Sequence, residues 1–242
     1  MLVTTELIVL DAVRYSDTAA IVHTYSRDFG PLHLKVSRPS SRRRQGGARA
    51  FFSPLSLLEV TMDYRPKREV QTPLEARLEG CPGCVATDPG ANAVALFLTE
   101  LLFRLLRSEE PDKALFSLLR GEILSMDLLS SAELANFHLV LLTKMLPLLG
   151  VLPDLNGYRE GYLLDFEEGR FYPPAGGHQR ERIRVSGLFC RLMKEEAPLS
   201  VPLTREERGG LLDLLLGYLG THFPSVQGLK SPAILPLLFR PL

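Results

Sequence analysis

Cysteine is scarce in this chain of 242 residues. Its three copies, Cys81, Cys84 and Cys190, are too few and too unevenly spaced for a disulfide framework. No basic flank precedes the short apolar run Leu7 to Leu10, so no export signal is expected, and a reducing cytoplasm is the expected compartment. Long hydrophobic runs are missing too. Ala93 to Leu106 and Phe137 to Leu152 are broken by Glu100, Arg104 and Lys144 and fall short of the roughly 20 residues that a membrane-spanning helix needs. There is no excess of either charge, with 28 Lys and Arg against 28 Asp and Glu, while 45% of the residues are hydrophobic. That composition excludes disorder as the dominant state and suits one large domain or two small ones.

The signatures of common enzymes are absent as well. The chain has no Gly-rich phosphate loop ending in Gly-Lys-Ser/Thr, no Gly-x-Ser-x-Gly elbow and no His-Glu-x-x-His. Its five histidines, His23, His33, His138, His178 and His222, are scattered over both halves and suit faces and helix ends better than an acid-base pair. Cys81 and Cys84 have metal-ligand spacing, but zinc needs four ligands and Cys190 is over a hundred residues away. A small-residue interdomain turn is the better reading of Cys81-Pro82-Gly83-Cys84. No catalytic role, metal or cofactor is expected.

What is present divides in two. Residues 1–80 carry short β-branched and apolar runs at Glu6 to Val13, Ala19 to Tyr25, Leu32 to Val36, Leu55 to Met62 and Glu69 to Leu74, with turn signals between them. Ile21 to Tyr25 and Leu32 to Val36 alternate, as strands do with one face packed and one wet. Five such strands with no crossover helix suit a small closed barrel, because closure removes exposed edges.

Beyond Cys81 to Gly90 the hydrophobic period lengthens from two to about 3.6, so residues 81–242 are expected to be helical. Asp88-Pro89 reads as a cap and first-turn proline for a helix to Arg107. Further helices are expected from Pro111 to Met126 with a cap at Glu109-Glu110, from Ser130-Ser131 to Leu149, over Val185 to Glu195 and over Thr204 to Phe223, with a last element from Ser231 to Phe239. Together they imply one bundle. Residues 154–182 break the pattern as an irregular insertion with a hairpin at Tyr162 to Tyr172.

The neutral total hides a local imbalance. Residues 1–80 hold 12 Lys and Arg against 9 Asp and Glu, and the excess concentrates in Lys35, Arg38, Arg42, Arg43, Arg44 and Arg49, with no acidic residue before Phe52. Six cations in fifteen residues repel one another by about 1 kcal/mol per close pair even in water, and a phosphate backbone would relieve that. Phe51-Phe52 follows directly, and Tyr15, Tyr25 and Phe29 lie on neighbouring elements, so a barrel face could add ring stacking to phosphate contacts. Arg65, Lys67 and Arg68 form a second basic turn that could extend the same surface.

The order of these segments resembles the RecO recombination mediators. Thr5 to Leu10, Tyr15-Ser16-Asp17-Thr18, Thr24 to Gly30, Lys35-Val36-Ser37-Arg38 and Phe52-Ser53-Pro54-Leu55 are similar to that family's amino-terminal pattern. The likeness continues through Leu57 to Val60 and returns at Phe171 to Gly177 and at Leu229-Lys230-Ser231. The resemblance implies an α+β protein: a five-stranded OB-fold over residues 1–80, then a helical domain over 81–242. It implies a non-catalytic role in DNA repair and homologous recombination. Such a protein binds single- and double-stranded DNA, anneals complementary strands, works with RecR, recognises the SSB tail and helps RecA load. A protein-protein adaptor with incidental DNA contact is the alternative. Two features depart from the family pattern. Many relatives have two Cys-x-x-Cys pairs around the segment matched by Pro173 to Gly177; here 156–179 has no cysteine, so zinc is not expected, and Tyr158, Tyr162, Phe166, Phe171 and Tyr172 are expected to hold the lobe. At Ala135-Asn136-Phe137 relatives often carry basic residues that receive the SSB tail; Lys144 or Lys230 is the expected substitute.

Overall fold

The computed structural model describes residues 1–37, 53–107, 110–176, 179–233 and 235. Two compact units divide between Leu128 and Leu129. The first opens with β1 (Leu2–Arg14), β2 (Ala19–Ser26), β3 (Gly30–Ser37), β4 (Leu57–Asp63), β5 (Val70–Gln71) and β6 (Pro73–Gly80), in the sheet order β5-β3-β2-β1-β4-β6. The sequence led to five strands; the fifth is in fact two. Pro73 has no backbone N–H to continue a ladder, and the chain passes from β5, parallel to β3, to β6, antiparallel to β4. β5 and β6 end the sheet on opposite sides yet are separated only by Thr72, so the sheet has to curl round on itself. The result is a half-barrel of the OB type. Leu7, Val9, Val22, Leu32, Leu34, Leu58, Val60 and Met62 fill it.

The unbroken apolar run in β1 follows from burial on both faces. Leu7 and Val9 point into the barrel core, whereas Ile8 pairs with Tyr25 on the side that the helices cover. Those helices are α1 (Cys84–Thr87), α2 (Pro89–Leu105) and α3 (Lys113–Ser125). Asp88 caps α2 by accepting from the Ala91 N–H, with Pro89 in the first turn. The cap of α3 is Asp112, which accepts from Ala114 and Leu115, and not Glu109-Glu110. Arg120 Nε to Glu6 Oε1 at 2.9 Å and Lys113 Nζ to Asp28 Oδ1 at 3.3 Å tie α3 to the strands. Sequence periodicity grouped α2 and α3 with the later helices, while the contacts put them in the same unit as the barrel.

The second unit contains α4 (Ser131–Met145), the hairpin β7 (Leu163–Asp165) and β8 (Arg170–Tyr172), α5 (Arg180–Lys194) and α6 (Arg205–His222). Capping boxes open α4 at Ser130/Glu133 and α6 at Thr204/Glu207, where the sequence signals stood. Every residue of α4 from Leu134 to Thr143 is buried, so it is the axis of this unit. Of the last expected element only a short turn, Ser231–Ala233, and Leu235 are described. No described helix is long and apolar enough to cross a membrane.

Candidate nucleic-acid interface

Arg38, Arg42, Arg43, Arg44 and Arg49, with Phe51 and Phe52, lie outside the described residues. Lys35 is described, and it stands near the end of β3 on the outer face of the sheet. The register places Val13 of β1, Ile21 of β2 and Lys35 of β3 side by side in one row. The Lys35 ammonium lies 5.0 Å from the centre of the Tyr15 ring. Tyr15 is set by the tight β1–β2 turn, in which the N–H groups of Tyr15 and Ser16 both donate to the Ala19 carbonyl. β3 pairs with β5 only at His33 and Leu34. Beside Lys35 a cleft of about 270 Å³ opens toward Pro73, Leu74 and Glu75 of β6.

The neighbouring row is Asp11, His23 and His33. The two Nδ1 atoms of the histidines meet at 2.9 Å, and Phe103 of α2 covers His23 with ring centres 4.9 Å apart. Burial lowers both histidine pKa values from their ordinary range, and Arg107 adds to the effect. The pair therefore resists charging, and it fills the outer face as a packed polar contact. Its register was legible, because both histidines sit at wet positions of alternating strands joined by a short turn.

Arg65, Lys67 and Arg68 occupy the turn between β4 and β5. Gln71 is buried beneath it and pins it: its Oε1 accepts from the Arg65 N–H at 3.1 Å, and its Nε2 donates to the carbonyls of Arg65 and Arg68 at 2.9 and 2.6 Å. The backbone is thus satisfied from below, so the side chains project into solvent. Arg65 is held by Asp63, whose Oδ2 accepts from Nε at 3.0 Å and Nη2 at 2.9 Å. The ammonium of Met1 and the Arg65 guanidinium hold the Asp63 carboxyl down at about 2. Lys67 and Arg68 are exposed and have no carboxylate partner among the described residues. Tyr64 stacks on Phe29 with ring centres 4.2 Å apart, which places this turn at the start of β3. Lys35 is near the other end, roughly 15 Å further along at about 3.3 Å per residue. The two described basic features therefore stand towards the two ends of β3.

Of the rings expected to stack on nucleic acid, Tyr25 is ruled out: it is fully buried, and its hydroxyl accepts from the Asp112 N–H at 3.1 Å. Phe29 packs against the barrel core with Tyr64. Among the described ones Tyr15 remains, 64% exposed.

Asn136 and Phe137 in the second unit, where a receptor for an acidic tail was sought, are both buried, and Asn136 Nδ2 donates to the carbonyls of Leu199 and Val201. Lys144 lies in a groove of about 560 Å³ with Leu192, Met193, Leu199 and the carboxylates of Glu133, Glu195 and Glu196. Lys230 is exposed after the left-handed Gly228 and does not line that groove. The hairpin lobe is held by Tyr158, whose ring meets Phe171 edge-on at 5.3 Å, and by Phe166 against Tyr218. Tyr172, expected to share this role, is exposed and donates to Glu168. The Cys84 thiol is pushed up to about 12 by burial and the Asp127 carboxylate, and burial pushes Cys190 up to about 12, so neither is a ready thiolate. Among the described residues no three His, Cys, Asp or Glu side chains converge as metal ligands.

The family model described as Recombination protein O N terminal matches residues 1–80, and that described as Recombination protein O C terminal matches residues 86–158. The chain is similar to the DNA repair protein RecO of Porphyromonas gingivalis strain W83, 34% identical over 99% of this chain and 100% of the relative. It is similar to the RecO proteins of Phocaeicola vulgatus and Bacteroides fragilis at 33% and 32% identity, each again over 99% of this chain and 100% of the relative.

Proposed function

The chain belongs to the RecO family of DNA repair proteins, and from that premise we propose that it acts by binding DNA, single- and double-stranded, without catalytic turnover. The observation that carries this reading is the pair of exposed basic features at the two ends of β3: Lys35 beside Tyr15, and Lys67 with Arg68 on a turn fixed by buried Gln71. A single strand laid along β3 would reach both features within the few nucleotides that one OB-fold covers. Arg38, Arg42, Arg43, Arg44 and Arg49 follow Lys35 in sequence, and their charge favours the same kind of ligand.

Annealing follows from the electrostatics. Two complementary strands repel through their phosphates, and cations that neutralise both lower the barrier to their meeting while leaving the base edges able to pair. In this reading the protein works with RecR on SSB-coated DNA and assists RecA in the cytoplasm, at the nucleoid. For the acidic SSB tail, the three carboxylates beside Lys144 oppose an anionic peptide, which leaves Lys230 as the better supported of the two lysines. Binding of an SSB-tail peptide is expected to weaken in Lys230→Ala and to stay the same in Lys144→Ala; the reverse result assigns the tail to the groove.

The test of DNA binding is titration of the full chain with labelled single strands at two salt concentrations. A steep decline with salt is expected, at about 0.7 log units per phosphate neutralised on a single strand, and Lys35→Ala with Lys67→Ala and Arg68→Ala should make it shallower. A chain that ignores oligonucleotides at low salt would be an adaptor, and the apolar groove beside Lys144 would then be the surface to probe.

A further inference from the structure

Most rings of the first unit are explained by packing: Tyr25 and Phe116 are fully buried, Phe29 and Tyr64 pack on the barrel core, and Phe103 lies on His23. Tyr15 is not. Its ring is 64% exposed, and Val13, next but one along β1, is 49% exposed in the row that continues through Ile21 to Lys35. Val13 thus sits on the outer face of three consecutive strands, and the Tyr15 ring, in the turn that follows β1, has the Lys35 ammonium 5.0 Å from its centre. One carboxylate, Glu75 of β6, lines the cleft beside Lys35. Asp17 is bound by Arg14 in the same turn, and Asp11 accepts from the Ala12 N–H.

We propose that Tyr15 is a stacking platform for an unpaired nucleobase, with Lys35 placed to meet the adjoining phosphate, so that this corner of the barrel selects single-stranded over double-stranded DNA. The inference rests on the DNA-binding reading above and sharpens it to one residue and one substrate feature. Charge decides the occupant. An exposed ring and valine alone would suit an apolar protein partner, but the ammonium over the ring calls for an anion within about one residue length of a flat apolar group, and a nucleotide combines the two. A duplex keeps its bases stacked on one another and offers only its phosphates, so it can use Lys35 but not Tyr15. The tight turn at Ala19 fixes the backbone that carries the ring, which lowers the ordering cost of binding.

The experiment compares Tyr15→Ala, Tyr15→Phe and Lys35→Ala in the full chain against a labelled oligothymidine, the same oligomer carrying abasic sites, and a duplex of equal length. Circular dichroism checks the fold of each variant. Tyr15→Ala is expected to weaken oligothymidine binding about ten-fold, with the salt slope and duplex affinity unchanged, and Tyr15→Phe to restore it. Abasic sites should weaken wild-type binding and have much less effect on Tyr15→Ala. Lys35→Ala should instead lower the salt slope for both substrates. Equal losses on single strand and duplex in Tyr15→Ala, or no loss on either, overturns the platform while leaving DNA binding intact. Failure of the wild-type chain to bind any oligonucleotide overturns the DNA reading itself, and retention of an apolar protein partner through Tyr15 would then be the finding.

Discussion

The basic turn at Arg65 to Arg68 and the hairpin lobe around β7 and β8 are both small projections from a larger unit, and they are held in opposite ways. The turn is pinned by polar contacts: one buried side chain, Gln71, satisfies three backbone groups, and the side chains above it are released to solvent. The lobe is pinned by its own rings. Leu164 and Phe171 are buried, Tyr158 meets Phe171, and Phe166 lies against Gly217, where an added Cβ would meet Phe166 Cε2 at 2.7 Å. Polar anchoring leaves a surface available for binding. Aromatic anchoring uses the side chains up.

The sharpest way to break this comparison is Phe171→Ala. Removing a ring that is only 5% exposed should cost the second unit about 3 kcal/mol in urea unfolding. A loss below about 1 kcal/mol would mean that the hairpin bonds, and not the rings, hold the lobe. Next in size is Gln71→Leu, which keeps the bulk but takes the Gln71 bonds from the Arg65 N–H and the Arg68 carbonyl, while the Arg65 carbonyl keeps its bond from the Arg68 N–H. A loss of about 2 kcal/mol is expected, together with faster amide exchange at Arg65 and weaker DNA binding. Unchanged exchange would show that the turn holds itself.

A third effect separates the units by pH. His138 in α4 is fully buried, and desolvation together with the Arg208 charge lowers its pKa to about 3 from an ordinary 6.5. Above pH 6.5 the ring is neutral both folded and unfolded, so nothing is lost. As pH falls below 6.5 the unfolded chain takes up a proton that the folded chain refuses, and stability declines by up to about 1.4 kcal/mol per pH unit until pH approaches the folded value. Melting of the full chain between pH 7 and pH 5 should show this slope, and His138→Gln should remove its share, leaving the part that the lowered His23 and His33 of the first unit contribute. The smallest effect is expected for Tyr172→Phe. The hydroxyl lost there donates to Glu168 in full solvent, so no measurable change in unfolding should follow, in contrast to Phe171 beside it.

The candidate surface was legible in the sequence only as charge. The runs around Lys35 and Arg65 stood out by composition, but their separation along β3 depends on how β5 pairs in parallel with β3, a contact between residues 33–34 and 70–71. Tyr15 and Tyr25 looked alike as aromatic residues on adjacent strands. One is exposed and the other is buried beneath α3, because only Tyr25 lies where the first turn of that helix can bond its hydroxyl. Gln71 read as one polar position in a strand, with nothing nearby to mark it as the support of the preceding turn.

Sequence alone determined the change from strands to helices near residue 80, the caps at Asp88, Ser130 and Thr204, and the hairpin at Leu163 to Tyr172. Those features depend on side-chain period and on hydrogen bonds that span three or four residues, which the local order of residues already contains. Tertiary structure decided that the fifth strand is two, that α2 and α3 keep company with the barrel, and which tyrosine meets solvent. Each of those outcomes turns on desolvation by elements tens of residues away, and burial is a property of the packed assembly that no short window of sequence carries.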